Sequence, residues 1–72
     1  MTKEKFPKRY APFYLVDPVR CDYEELSLIN MRKKIGKSES FIYDRCNDGA
    51  LFLLDGRAYY ITNNFAKVWE LI

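Results

Sequence analysis

At 72 residues the chain has room for one domain, and a domain that small buries a low share of its surface, so it can leave little apolar side chain idle. Twelve Lys and Arg against ten Asp and Glu leave a formal net charge of +2, which gives no large single-sign field and argues against a dedicated basic clamp for nucleic acid. There is no histidine, so a Cys–His nucleophile is excluded and two cysteines alone cannot complete a common zinc site.

Residues 1 to 10 read as a mobile basic tail, with Lys3, Lys5, Lys8 and Arg9 and no apolar period. No signal-peptide core follows them, and no run approaches the roughly 18 apolar residues of a membrane span, so a soluble, cytoplasmic chain is expected. Residues 11 to 72 read as a single α+β domain. Residues 11 to 16 form its first strand, expected at an edge because Pro12 lacks a donor, and Asp17-Pro18 ends it. Asp22-x-x-Glu25 has the form of a capping box, Arg32, Lys33 and Lys34 suit a helix C-terminus, and Gly36 stops it, which predicts a helix over residues 22 to 35. Leu28, Met31 and Ile35 share one face of that helix while Leu26 and Ile29 lie toward another. The second stripe needs either a second layer of the domain or another molecule, which makes a homodimer one expectation.

Ser40 to Asp44 has the composition of a strand, Cys46 to Gly49 of a turn, and Ala50 to Leu54 and Ala58 to Thr62 of two strands joined by Asp55-Gly56, a pair suited to φ > 0. Together they predict a three-stranded antiparallel meander over about residues 40 to 62. Asn63 or Asn64 then caps a helix over residues 64 to 72, in which Phe65, Val68, Trp69 and Ile72 recur on one face. Strand order stays open, and Ala58 to Thr62 is a candidate edge.

Chemistry is sparse along this path. Asp44, Asp48 and Asp55 sit where turns ordinarily place Asp, and Gly36, Gly49 and Gly56 are too far apart to build a phosphate loop, so neither enzyme activity nor a cofactor is expected. Cys21 and Cys46 read as reduced thiols, with one disulfide between them as the alternative. The charge is uneven: residues 1 to 37 carry nine basic and five acidic side chains, residues 38 to 72 three and five. The basic end of the predicted first helix, Arg32, Lys33, Lys34 and Lys37, is therefore a candidate nucleic-acid site, although basic residues there also complement the helix dipole without any ligand. Protein binding fits the composition better. Tyr59, Tyr60 and Ile61 on the last strand and Trp69 on the last helix are the candidate contact residues, aromatic side chains being the type most enriched at interfaces.

Gly49-Ala50-Leu51-Phe52-Leu53-Leu54-Asp55, then Tyr59-Tyr60-Ile61-Thr62-Asn63, then Ala66-Lys67-Val68-Trp69-Glu70-Leu71-Ile72 resembles the hairpin and first helix of PqqD-like leader-peptide recognition domains. Those domains look like small winged-helix units in which a leader peptide adds as a strand beside the third strand. By that resemblance the receiving strand is Ala58 to Thr62. In the family two further helices follow the region matched here, and residues 1 to 37 have no counterpart in it. Composition and resemblance together lead to three expectations. The first is a small non-enzymatic protein-binding module acting as a stoichiometric inhibitor or regulator of a larger protein, of the kind viruses and mobile elements encode. The second is peptide capture by β-strand addition, and the third is nucleic-acid binding through the basic helix end.

Overall fold

A computed structural model describes residues 12 to 72, and the segment read as a basic tail lies outside them. The described chain is an α+β unit in which strand β1 (Phe13–Asp17), strand β2 (Asp22–Leu26), helix α1 (Leu28–Ile35), helix α2 (Glu39–Asp48), strand β3 (Phe52–Leu54), strand β4 (Arg57–Thr62) and helix α3 (Phe65–Leu71) follow in order. The four strands make one antiparallel sheet in the order β2-β1-β4-β3.

All five residues of β1 are buried, so this strand is internal, not the edge that Pro12 suggested. Pro12 falls one residue ahead of the strand, where its missing N–H costs the ladder nothing. One neighbour of β1 comes from a tight local reversal. Asp17 Oδ1 accepts the N–H groups of Val19 at 3.1 Å and Arg20 at 3.0 Å, Cys21 takes a left-handed φ of 57°, and the chain returns as β2 with Val16 opposite Tyr23. Residues 22 to 26, expected as the first turns of a helix, are therefore strand. Pairing with a buried strand outweighs the capping-box pattern, and Asp22 Oδ1 instead accepts the N–H of its neighbour Tyr23 at 2.8 Å.

The helix starts six residues later than expected, at Leu28. Ser27 Oγ accepts the Asn30 N–H at 3.2 Å, and Gly36, at φ 67°, closes the far end by donating to the Arg32 carbonyl at 2.8 Å. Leu28, Met31 and Ile35 form its buried stripe. Leu26 packs on the core from β2, so the second helical stripe, and with it the packing argument for a homodimer, disappears.

Residues 40 to 44, expected as a strand, lie in α2. Ser38 Oγ accepts the Phe41 N–H at 3.2 Å, Gly49 at φ 65° donates to the Arg45 carbonyl at 3.0 Å, and fully buried Ile42 is driven into the core. Two good caps and one deep apolar anchor outweigh the β-propensity of Phe-Ile-Tyr. The expected meander is thus reduced to the β3–β4 hairpin, whose Asp55-Gly56 turn has φ values of 52° and 79°, as the sequence predicts.

Because side chains alternate along each strand, the sheet has two unlike faces. One carries Phe13, Leu15, Phe52 and Ile61 and is covered by α1 and α2 through Leu28, Met31, Ile35 and Ile42. The other carries Tyr14, Val16 and Tyr60 and receives only α3, through Val68, with Leu71 and Ile72 beside it. Two helices fill the first face, whereas seven residues of helix cannot span four strands and leave margins of the second open.

Two consequences can be measured. Ser27→Ala should lower the unfolding free energy by about 0.5–2 kcal/mol in chemical denaturation, while Asp22→Ala, the cap expected from sequence, should not show a capping loss. At the end of α2, an Arg45 side chain and the Ala50 N–H hold the Asp48 carboxyl below its ordinary range. A carboxyl depressed by folding stabilises fully above its unfolded value, about 3.9, and the gain is lost as pH falls through the lower folded value. Asp48→Asn should therefore lower Tm at neutral pH, and its difference from the parent chain should shrink toward zero in strong acid.

Candidate protein-binding surface

The open margin beside β2 is built by three elements. Asn64 caps α3, its Oδ1 accepting the Ala66 N–H at 3.0 Å while its own N–H donates to Thr62 Oγ1 at 3.2 Å, which fixes how the helix leaves β4. Val68 points into the sheet and is fully buried. Its neighbours one turn apart, Phe65 and Trp69, then stand on the side toward β2 and meet Tyr14 from β1 and Tyr23 from β2. The ring centroids lie 5.4 Å apart for Tyr14–Phe65, 5.8 Å for Tyr23–Phe65, 5.8 Å for Tyr23–Trp69 and 5.7 Å for Phe65–Trp69, mostly edge to face. Such pairs contribute about 0.5–1.5 kcal/mol each beyond area burial.

The four rings are graded in depth. Tyr14 is buried, Phe65 is 45% exposed and Trp69 is 60% exposed, so the cluster is anchored in the core and ends in an aromatic surface. Burial foremost, then Glu25 and Tyr23, push the Tyr14 hydroxyl above its ordinary pKa, which keeps it neutral and a donor. Glu25 lies opposite Tyr14 on this same face of the sheet. The remaining carboxylates of β2 face the other way: Asp22 and Glu24 line a concavity with Asp17, Arg20, Lys34 and Arg57, and Lys34 Nζ lies 3.2 Å from Glu24 Oε1.

The predicted contact residues are not brought together. Ile61 is buried beneath α1 and α2, and Tyr59 packs half-buried on that same face. Tyr60 lies on the opposite face beside α3, and only Trp69 is well exposed. Nor is β4 an edge: Tyr60 to Thr62 pair with β1, and Arg57 to Tyr59 pair with β3. The true edges are β2 and β3. Sequence reasoning missed Tyr23 and Glu25 because their segment was taken for helix, and Tyr14 because its strand was taken for an edge. Phe65 and Trp69 were visible as an i, i+4 pair, but the direction they face depends on strand order.

The basic candidates divide as well. Arg32, Lys33 and Lys37 share a concavity with half-exposed Ile29 from the first turn of α1, Lys37 also lying 5.5 Å from the Phe41 ring centre, whereas Lys34 turns to Glu24. Cys21 and Cys46 are free thiols, and burial pushes the Cys46 thiol up against the opposing pull of the Asn63 N–H. Among the described residues there is no group of three or more potential metal ligands, and no helix is long and apolar enough to cross a membrane. Compared with known protein families, curated proteins and solved structures, the chain has no significant match.

Tyr23→Leu keeps apolar bulk while removing three ring contacts. It should lower the unfolding free energy by about 1–2 kcal/mol and make Trp69 fluorescence, which comes from the single tryptophan of the chain, more easily quenched by acrylamide.

Proposed function

We propose that the chain is a protein-binding module, used as a stoichiometric regulator of a larger protein, and that it docks through the aromatic surface of Phe65 and Trp69. What supports this reading is one observation: two large exposed rings packed against Tyr14 and Tyr23 instead of being folded into the core. A chain this short spends a notable part of its apolar content there, and contiguous exposed aromatic surface is typical of interaction sites. Rings already held by their neighbours lose little freedom on binding, and Trp and Tyr are the side chains most often found at the energetic centre of interfaces.

Capture of a peptide as an added strand is less well supported. β4 is paired along its length, and β2 carries Asp22, Glu24 and Glu25 and has its Tyr23 N–H already engaged by Asp22, features that guard an edge against strand addition. Along the β2 margin, side chains rather than a backbone ladder are then the means of contact.

The test compares capture of proteins from the native host by the parent chain and by a Phe65→Ser/Trp69→Ser variant, with circular dichroism to establish that both are folded. Partners held by the parent and lost by the variant are the expected result. An identical set of captured proteins would overturn the assignment of this surface.

A further inference from the structure

We infer that the aromatic surface recognises a short Lys- or Arg-bearing segment of its protein partner, with Glu25 supplying the countercharge and Trp69 the cation-binding ring face. The inference rests on the protein-binding reading above and names the chemistry of the partner.

The distribution of charge across β2 carries it. This strand has three carboxylates, and its alternation sends them to different faces. Asp22 and Glu24 fall on the side where Arg20, Lys34 and Arg57 gather, so that side is balanced within the chain, and Glu24 is bound by Lys34. Glu25 falls on the aromatic side. Among the described residues no Lys or Arg lies within salt-bridge distance of it, and α3 carries its own cation, Lys67, on the far flank, in a concavity with Tyr60, Glu70 and Leu71. The surface therefore combines exposed indole and phenyl rings with one carboxylate and no described cation. Aromatic faces attract cations through their quadrupole, most strongly for Trp, and the Glu25 carboxylate, opposite Tyr14 on the same face, adds attraction for a basic segment lying along the cluster. Neighbouring rings of the cluster lie 5.4–6.2 Å apart and are packed together, which leaves no cage among them. A cation would sit on the outside of the cluster, where a flexible side chain from an incoming segment can reach it.

An acidic or purely apolar partner fits less well. An acidic segment would face Glu25, and an apolar one would cover that carboxylate without replacing its water, a loss that desolvation makes costly.

Trp69 is the only tryptophan, so its fluorescence reports on the site directly. The full chain is titrated with three capped eight-residue peptides that alternate Thr with Arg, Lys or Glu. A saturable change with the Arg peptide, a weaker one with the Lys peptide and none with the Glu peptide is expected, falling with added salt. Glu25→Gln should weaken the Arg peptide about two- to five-fold, the loss of one exposed ion pair. Glu24→Gln, one residue away on the opposite face, should leave it unchanged. Equal responses to all three peptides, no response to the Arg peptide, or an unaltered affinity in Glu25→Gln would each overturn the inference. Sedimentation showing a dimer of the parent chain that Phe65→Ser/Trp69→Ser disperses would overturn it too, by assigning the surface to a second copy. If host proteins are captured through Trp69 while no charge preference appears, the inference fails and the protein-binding reading stands.

Discussion

The need of one five-residue strand for two neighbours and two covers organises this molecule. Phe13 to Asp17 is buried throughout, so its backbone groups on both sides must find ladder partners and its side chains must be covered on both faces. The local partner is β2 and the distant one is β4. Once β1 is central, Phe13 and Leu15 require α1 and α2 above them, while Tyr14 and Val16 require α3 below. An α+β domain with helices on both sides of an antiparallel sheet follows from that single requirement, and so does the uneven cover that exposes Trp69.

Much of this could be read from the residues, and the errors share one cause. Local signals that agree with their surroundings were decisive: Asp55-Gly56 as a turn with two positive φ values, Asn63 or Asn64 as a cap, which the structure resolves to Asn64, and Gly36 and Gly49 as helix ends or turns. Asp22-x-x-Glu25 misled because a local cap pattern competes with a pairing partner that is visible only in three dimensions, and the true cap, Ser27, lies one residue beyond the strand. Ser40 to Asp44 misled in the opposite sense: aromatic and branched residues favour a strand, but caps eleven residues apart at Ser38 and Gly49 and the burial of Ile42 settle a helix. The exposed aromatic cluster was the least readable part, since Tyr14, Tyr23, Phe65 and Trp69 come from three elements whose adjacency depends on strand order.

The two faces also divide the chemistry. The face beneath α1 and α2 holds the larger apolar cluster, and its charged rim is balanced near β2 by Lys34, Arg20 and Arg57. The face beneath α3 holds a smaller cluster whose outer members are polarisable rings. The main core and the exposed aromatic cluster thus lie on opposite sides of one sheet, so exposed side chains on one side can vary without opening the larger core on the other.

The central position of β1 has a kinetic meaning as well. Its contacts with β2 close across a four-residue turn, but its register with β4 brings together Val16 and Tyr60, roughly 44 residues apart. Closing so long a loop costs chain entropy before the long-range pairing returns anything. The chain is thus two locally connected halves, β1–β2–α1 and α2–β3–β4–α3, and neither completes a sheet alone. Meeting along the β1–β4 seam is the slow step expected of this topology, and until the seam closes the rings that later form the aromatic surface are divided between the two halves.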